Sequence, residues 1–254
     1  MNTYSEPKEG IIVYGKHAVL AVLKHHKKLV KKAYISRHLK EEDIFYTVRN
    51  LLKSVKVELA EMTIGDLDRK AGSAEHQGLV IEISSYPFMT MEEFFSTYNA
   101  DAPQLVVALD CLQDPHNVGA LARTAVGMGA TAMILPEHNQ APINGTVIKT
   151  SVGSIFNLNI INVVNLATAL GNFKKNGFWI YGLDMTGEPI KNADFAEKTL
   201  LVIGGEGEGL RHLTKETCDL VVSLPKHDAL ESYNASVSGA MAMYEYQRQI
   251  EGKK

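Results

Sequence analysis

The sequence predicts an α/β protein in two parts, and three observations carry that expectation. Short strand and helix patterns alternate from residue 11 to 84, a Pro-containing break follows, and near-continuous apolar strands alternate with helical patterns from Gln104 onward. Strands that are apolar at nearly every position, rather than at alternate ones, belong to a parallel sheet covered on both faces. The 254 residues give ample material for such cores. The expected division is a small α/β domain over 1–85, a linker over 86–103 and a larger α/β domain over 104–254.

In the first part, Ile11-Tyr14 reads as a strand and His17 to Leu23 as an amphipathic helix. Lys32-Ser36 is strand-like, Asp43 to Leu52 helical, Val55-Ala60 a strand, Thr63 to Lys70 a short helix and Leu79-Ile83 a strand. Ser84-Ser85-Tyr86-Pro87 breaks the pattern, and the linker runs through Met91 to Tyr98 to end at Asp101-Ala102-Pro103. Beyond it, strands are expected at Leu105-Leu109, Ala132-Leu135, Trp179-Leu183, Leu200-Ile203 and Leu220-Leu224. Helices are expected at Val118 to Met128, Val147 to Val152, Leu166 to Lys175, Leu210 to Thr217 and Ala235 to Arg248. Met241 and Met243 in the last of these read as core filler.

Composition narrows the function classes. The hydrophobic share of 45% and charged share of 22% are those of a soluble globular protein. No run of 18 apolar residues exists, and the polar start with Glu6 and Glu9 is no secretory signal, so a cytoplasmic protein without a membrane span is expected. Cys111 and Cys218 form no CxxC pair, and the nine histidines show no HxxxH or HxH spacing beside carboxylates, so neither a disulfide nor a metal is expected. The net charge of −3 conceals a local asymmetry. Between Lys16 and Lys40 there are eight Lys/Arg and no Asp or Glu, whereas after residue 86 eighteen acids face twelve bases. Lys16, Lys27, Lys28, Lys31, Lys32 and Arg37 therefore form a candidate phosphate-binding, RNA-docking set.

Three loops follow predicted strands, where ligands sit in open α/β sheets. The first, Asp110 to Thr124, runs through Asp114-Pro115-His116-Asn117 into a small-residue helix that carries Arg123. Asn117 reads as that helix's N-cap, and a guanidinium at Arg123 is expected to need an anionic or carbonyl partner. The second, Ile203-Gly204-Gly205-Glu206-Gly207-Glu208-Gly209, has a backbone free to approach a ligand closely. It lacks the GK[ST] of a phosphate cradle and the third glycine of the dinucleotide fingerprint, and Glu206 and Glu208 repel phosphate. A cofactor with neutral or positive groups suits it better than a nucleoside triphosphate. The third runs from Leu224-Pro225-Lys226-His227-Asp228 to Ser232-Tyr233-Asn234-Ala235-Ser236, where Ser232 or Asn234 is expected to cap the final helix.

Together and in this order, the three loops resemble the motifs of the SpoU/TrmH branch of SPOUT RNA ribose 2′-O-methyltransferases. Asp114-Pro115-His116-Asn117-Val118-Gly119-Ala120 with Arg123-Thr124-Ala125 is similar to the first motif, Gly204 to Leu210 to the second, and Leu224-Pro225 with Ser232 to Ser236 to the third. Tyr14-Gly15-Lys16-His17-Ala18-Val19 and His76-Gln77-Gly78 look like the substrate-binding domain of 23S rRNA guanosine methyltransferases of the RlmB type. The resemblance implies a C-terminal α/β-knot domain, a trefoil-knotted parallel sheet, preceded by a small ribosomal L30e-like RNA-binding domain. Composition alone would not suggest a knot, because knotted chains are rare.

The resemblance further implies a homodimer, with S-adenosyl-L-methionine as cofactor and 23S rRNA as the RNA partner. It assigns Asn117, Arg123, Glu206, Ser232 and Asn234 to the catalytic set, and Gly204, Glu206, Gly207, Leu224, Tyr233 and Asn234 to cofactor binding. The implied reaction is attack of a ribose 2′-hydroxyl on a sulfonium methyl, with removal of the hydroxyl proton. The third motif departs from the family pattern at Lys226, Asp228, Tyr233 and Ala235, which touches cofactor affinity and pocket shape while the polar residues persist. The catalytic motifs do not separate 23S rRNA from tRNA or another rRNA site; the N-terminal resemblance favours 23S rRNA. Retention of Arg123 and Asn234 speaks against an inactive assembly factor, and the missing fingerprint against a nicotinamide-dependent dehydrogenase.

Overall fold

The computed structural model describes residues 10–40, 42–205 and 209–253, and they form two compact units. In chain order the elements are β1 (Ile11–Tyr14), α1 (Lys16–His25), β2 (Val30–Ser36), α2 (Asp43–Lys53), β3 (Leu59–Met62), α3 (Ile64–Ala71) and β4 (Leu79–Ile83). There follow α4 (Met91–Thr97), β5 (Gln104–Asp110), α5 (Pro115–Gly127), β6 (Ala132–Pro136), α6 (Gly145–Thr150), β7 (Asn159–Val163), α7 (Leu166–Lys175) and β8 (Trp179–Pro189). The chain closes with β9 (Lys198–Gly204), α8 (His212–Thr217), β10 (Leu220–Ser223) and α9 (Ala235–Gly252).

The first unit comprises residues 1–87 together with 143–156. Its sheet has the order β1-β4-β2-β3, with β4 antiparallel to both neighbours and β2 parallel to β3. Val19, Val22 and Leu23 of α1 are fully buried with Ile35, Ile81 and Ile83 of the sheet, which is the burial an amphipathic helix and a half-covered sheet require. Sequence patterning groups residues 143–156 with the C-terminal part, yet they pack here. Gly145 lies so close to β1 that a Cβ would stand 2.4 Å from the Ile12 carbonyl oxygen, and Gly153 sits equally tightly against Ala18 and Ala21 of α1.

The second unit comprises residues 88–142 and 157–254. Six parallel strands run in the order β10-β8-β9-β5-β6-β7. All seven residues of central β5 are buried, as the unbroken apolar pattern predicts for a strand covered on both faces. On one face Val106, Ala108, Leu200 and Val202 pack against Leu166, Leu170 and Phe173 of α7 and Phe94 of α4. On the other, Gly239 brings α9 onto Ile203 of β9 and Leu121 of α5.

Among the elements that differ from the sequence expectation are β7, α4, β3 and α8. β7 is absent from the predicted set because Asn159 and Asn162 interrupt its apolar run; as an edge strand it tolerates them. The segment Met91 to Tyr98 holds a helix with a capping box between Thr90 and Glu93, and Phe94 and Tyr98 stack into the second unit's core. The strand expected over Val55-Ala60 begins at Leu59, because the chain turns at Lys56 with φ 56°. α8 starts at His212 rather than Leu210, since Arg211 is held extended.

Candidate functional site

The loops after β5 and β9 and the segment after β10 leave the same, carboxyl end of the parallel sheet. The first is shaped by Asp110, Cys111 and Asp114. Asp110 is fully buried, and Cys111 turns the chain with φ 62°. Leu112 then donates its amide to Gln140 Oε1 at 2.9 Å. The cap of α5 is Asp114 rather than Asn117: its carboxylate accepts from the His116 amide at 2.9 Å, and Pro115 occupies the first helical position. Asn117 is instead a buried residue of the first turn.

The Asn117 side chain meets the third motif. Asn234 Nδ2 donates to Asn117 Oδ1 at 2.9 Å. The Asn234 oxygen meanwhile caps α9, accepting from Ser236 N at 2.9 Å, Ser236 Oγ at 2.6 Å and Val237 N at 3.4 Å. The expected cap is thus Asn234, and Ser232 lies exposed in the preceding turn. The departures Lys226 and Tyr233 have structural work there. Lys226 Nζ donates to the Leu230 carbonyl at 3.0 Å, and Tyr233 Oη to the Pro225 carbonyl at 3.0 Å, so both close the loop on itself. Asp228 is exposed and Leu224 half-buried.

The glycine loop is built by close backbone approach. A Cβ on Gly204 would stand 2.3 Å from the Gly209 carbonyl carbon, and one on Gly205 would stand 2.6 Å from the Cys111 carbonyl oxygen. Gly205 and Gly209 pair across the loop as an antiparallel bridge. Just past it, Arg211 donates its amide to Asp110 Oδ2 at 2.9 Å and its Nε to Asp110 Oδ1 at 2.6 Å. Asp110 thereby ties the end of β5 to the exit of the glycine loop. Neither residue stands out in the sequence, because their pairing spans 101 positions. Glu206, Gly207 and Glu208 lie outside the described residues.

Arg123 differs from expectation. The buried face of α5 is Asn117, Val118, Leu121, Ala122 and Ala125, which leaves Arg123 exposed on the same stripe as His116 and Gly127. Among the described residues it makes no ion pair, and in water the guanidinium needs none. The two cations that follow the glycine loop in the chain are committed: Arg211 to Asp110 and Lys215 Nζ to Asp184 Oδ1 at 3.1 Å. Burial opposes ionisation of Asp184, but the Thr186 amide and hydroxyl and the Lys215 ammonium outweigh it and hold the carboxyl below its usual range.

In the first unit the basic set divides. Lys16 pairs with Glu42 at 3.0 Å and Lys32 with Glu82 at 3.5 Å. Lys27, Lys28, Lys31 and Arg37 have no ion pair among the described residues. A register shift in β2 between Val30 and Lys32 puts Lys31 and Lys32 both at the surface. The two N-terminal motifs meet at Gln77, whose Oε1 accepts from the Lys16 amide at 3.1 Å and from Lys149 Nζ at 3.2 Å. Beside it, buried His76 accepts from the Gly78 amide through Nδ1 and donates through Nε2 to Asp68, an arrangement that fixes the turn.

Among the described residues no helix is long and apolar enough to cross a membrane, and no group of His, Cys, Asp and Glu could hold a metal ion.

Comparison with known proteins divides the chain between residues 89 and 104, with residues 143–156 inside the C-terminal match. Residues 104–244 match the SpoU rRNA Methylase family, and residues 12–89 match the RNA 2′-O ribose methyltransferase substrate-binding family. A 23S rRNA (guanosine-2′-O-)-methyltransferase of Vibrio vulnificus is 34% identical over 240 residues, covering 93% of this chain and 96% of its own length. A Synechocystis protein named as an uncharacterized tRNA/rRNA methyltransferase is 36% identical over 242 residues; this chain spans only 62% of its length. Among solved structures, the SpoU methyltransferase AviRb of Streptomyces viridochromogenes, in complex with the cofactor AdoMet, has the same fold, with a TM-score of 0.78 at 24% identity over 95% of this chain and 90% of its own.

Proposed function

The chain belongs to the SpoU rRNA Methylase family, and on that premise we propose that it transfers a methyl group from S-adenosyl-L-methionine to the ribose 2′-hydroxyl of a guanosine in 23S rRNA. The observation that carries the reading is the meeting of the first and third motif segments at the Asn234–Asn117 bond, together with the close backbone packing at Gly204 and Gly205 in the second. Its RNA class follows the Vibrio vulnificus relative, which is similar over nearly the whole of both chains.

The residues present fit the cofactor. Gly204 and Gly205 leave no room for side chains, so the loop offers amides and carbonyls to a neutral adenosine. The cations nearby are each occupied by a carboxylate, which suits a ligand carrying a sulfonium rather than phosphates. Gly204, Glu206, Gly207, Leu224, Tyr233 and Asn234 are the proposed cofactor contacts. When bound, adenosylmethionine supplies an electrophilic methyl group. The Arg123 guanidinium has hydrogen-bond donors and no acceptor, so its role is to hold the RNA phosphate and stabilise charge developing on the attacking oxygen. Its exposure on α5 leaves it open to an incoming strand. Asn117, Ser232, Asn234 and Glu206 shape the site and place the ribose in line.

RNA docks on the first unit through Lys27, Lys28, Lys31 and Arg37, with Lys16 and Lys32 contributing less because each already faces a glutamate. A cytoplasmic homodimer with a knotted second unit completes the reading. Support for the dimer comes from α9, where Val237 and Tyr244 are 45% and 59% exposed on one helical stripe. The test is purified protein with methyl-labelled adenosylmethionine and transcripts of 23S rRNA, 16S rRNA and tRNA. Label entering 23S rRNA as 2′-O-methylguanosine supports the proposal, label in tRNA alone redirects the substrate, and no label in any transcript refutes it.

A further inference from the structure

Asp184 lies in β8, the strand between β9 and β10 in the sheet and hence between the strands that lead into the second and third motifs. It stands one position past the last residue paired with β9, level with Gly204. Its two oxygens are treated differently. Oδ1 accepts from Thr186 N at 2.9 Å, Thr186 Oγ1 at 2.7 Å and Lys215 Nζ at 3.1 Å. Oδ2 accepts from no described residue, although only 14% of the side chain is exposed. It is also the atom nearest the glycine loop, 3.1 Å from where a Cβ on Gly209 would stand.

We propose that Asp184 Oδ2 accepts a hydrogen bond from a ribose hydroxyl of the cofactor's adenosine, an assignment that rests on the adenosylmethionine reading above. Oδ2 is the oxygen of this carboxylate with no donor among the described residues, and an adenosyl ligand offers neutral donors in its sugar hydroxyls and its adenine amino group. A carboxylate at the carboxyl end of a parallel strand, next to a glycine-rich turn, is the chemistry by which open α/β sheets hold a ribose. The donors on Oδ1 fix the carboxylate's orientation and keep it ionised, so it acts as an acceptor only.

The experiment is calorimetry on the full chain with adenosylhomocysteine and with methylthioadenosine, which keeps the adenosine and lacks the amino acid. Asp184→Asn should weaken both ligands by about tenfold, the worth of one charge-assisted hydrogen bond. Lys215→Gln removes the ammonium that donates to Oδ1 and to Thr186 Oγ1 while leaving Oδ2 untouched, and it should leave both within about threefold. A merely structural ion pair would weaken binding alike in the two variants and so overturn the proposal, as would unchanged binding by Asp184→Asn. Weakening confined to adenosylhomocysteine would move the contact to the ligand's ammonium and overturn the ribose assignment. Wild-type protein supplies a second measurement that does not depend on folding of a variant. One of 2′-deoxy- and 3′-deoxy-methylthioadenosine should bind about tenfold more weakly than the parent, and parental affinity in both would contradict the proposal. A wild-type chain that binds no adenosyl ligand refutes the methyltransferase reading itself, a distinct result.

Discussion

Asn234 Nδ2 donates to Asn117 Oδ1 at 2.9 Å, so the residue that caps the last helix also bonds into the first turn of the helix after β5. Two motifs 117 residues apart are locked together by one amide pair. Replacing Asn234 with Ala removes a helix cap and leaves Asn117 short of a donor, which should cost about 2 kcal/mol. Asn234→Ser keeps a cap and should recover roughly half of that. Urea unfolding of the two variants measures the difference.

Gly204→Ala should eliminate cofactor binding. The added methyl would meet Gly209 backbone at 2.3 Å, and backbone cannot swing aside as a side-chain end can. Calorimetry with adenosylhomocysteine checks this, and undiminished affinity would show that the loop has slack which its packing does not suggest.

Arg211→Ala leaves the fully buried Asp110 carboxylate with one amide donor. Losing a partner from a buried pair costs about 3–5 kcal/mol, but the Arg211 side chain is 44% exposed, so about 2 kcal/mol is expected after solvent screening. The melting temperature should fall by several degrees.

Arg123→Ala should abolish methyl transfer while adenosylmethionine binding stays within about twofold, because the guanidinium is exposed on α5 and makes no ion pair among the described residues. Single-turnover kinetics beside calorimetry separates the two quantities. Lost cofactor binding would contradict this division of labour.

Burial pushes the Cys218 thiol up to about 12. The thiol donates to the Thr214 carbonyl at 3.3 Å and packs on Gly182. For an acid whose pKa is raised on folding, the stabilising contribution is whole below the unfolded value near 9 and is lost as pH climbs from there through 12. Stability should therefore decline above pH 9, and iodoacetamide at pH 8 should leave native Cys218 unmodified but label it in urea. A Cys218→Ser variant should lose less stability over that alkaline range.

Much of this was legible in residue order. The buried strands β5, β6 and β9 announce themselves as apolar runs, and the three motif loops sit after strands as their residues suggest. What escaped was set by distance or by position in the sheet. Asn159 and Asn162 hide β7 because edge position decides whether polar residues are tolerated. Asp114 rather than Asn117 caps α5, because Pro115 fixes where the helix begins. Asp110 and Asp184 carry no local pattern at all; they matter through Arg211 and Gly209, which the sheet brings alongside. Arg123 looked as though it needed a partner because its neighbours are apolar, yet helical periodicity turns it outward.

The most direct measurement is mass spectrometry of 23S rRNA nucleosides from cells with and without this protein, with fragment mapping of the modified site. The account predicts that a single 2′-O-methylguanosine disappears from 23S rRNA when the protein is absent and returns with the wild-type chain but not with Arg123→Ala. An unchanged set of ribose-methylated nucleosides in 23S rRNA would contradict it.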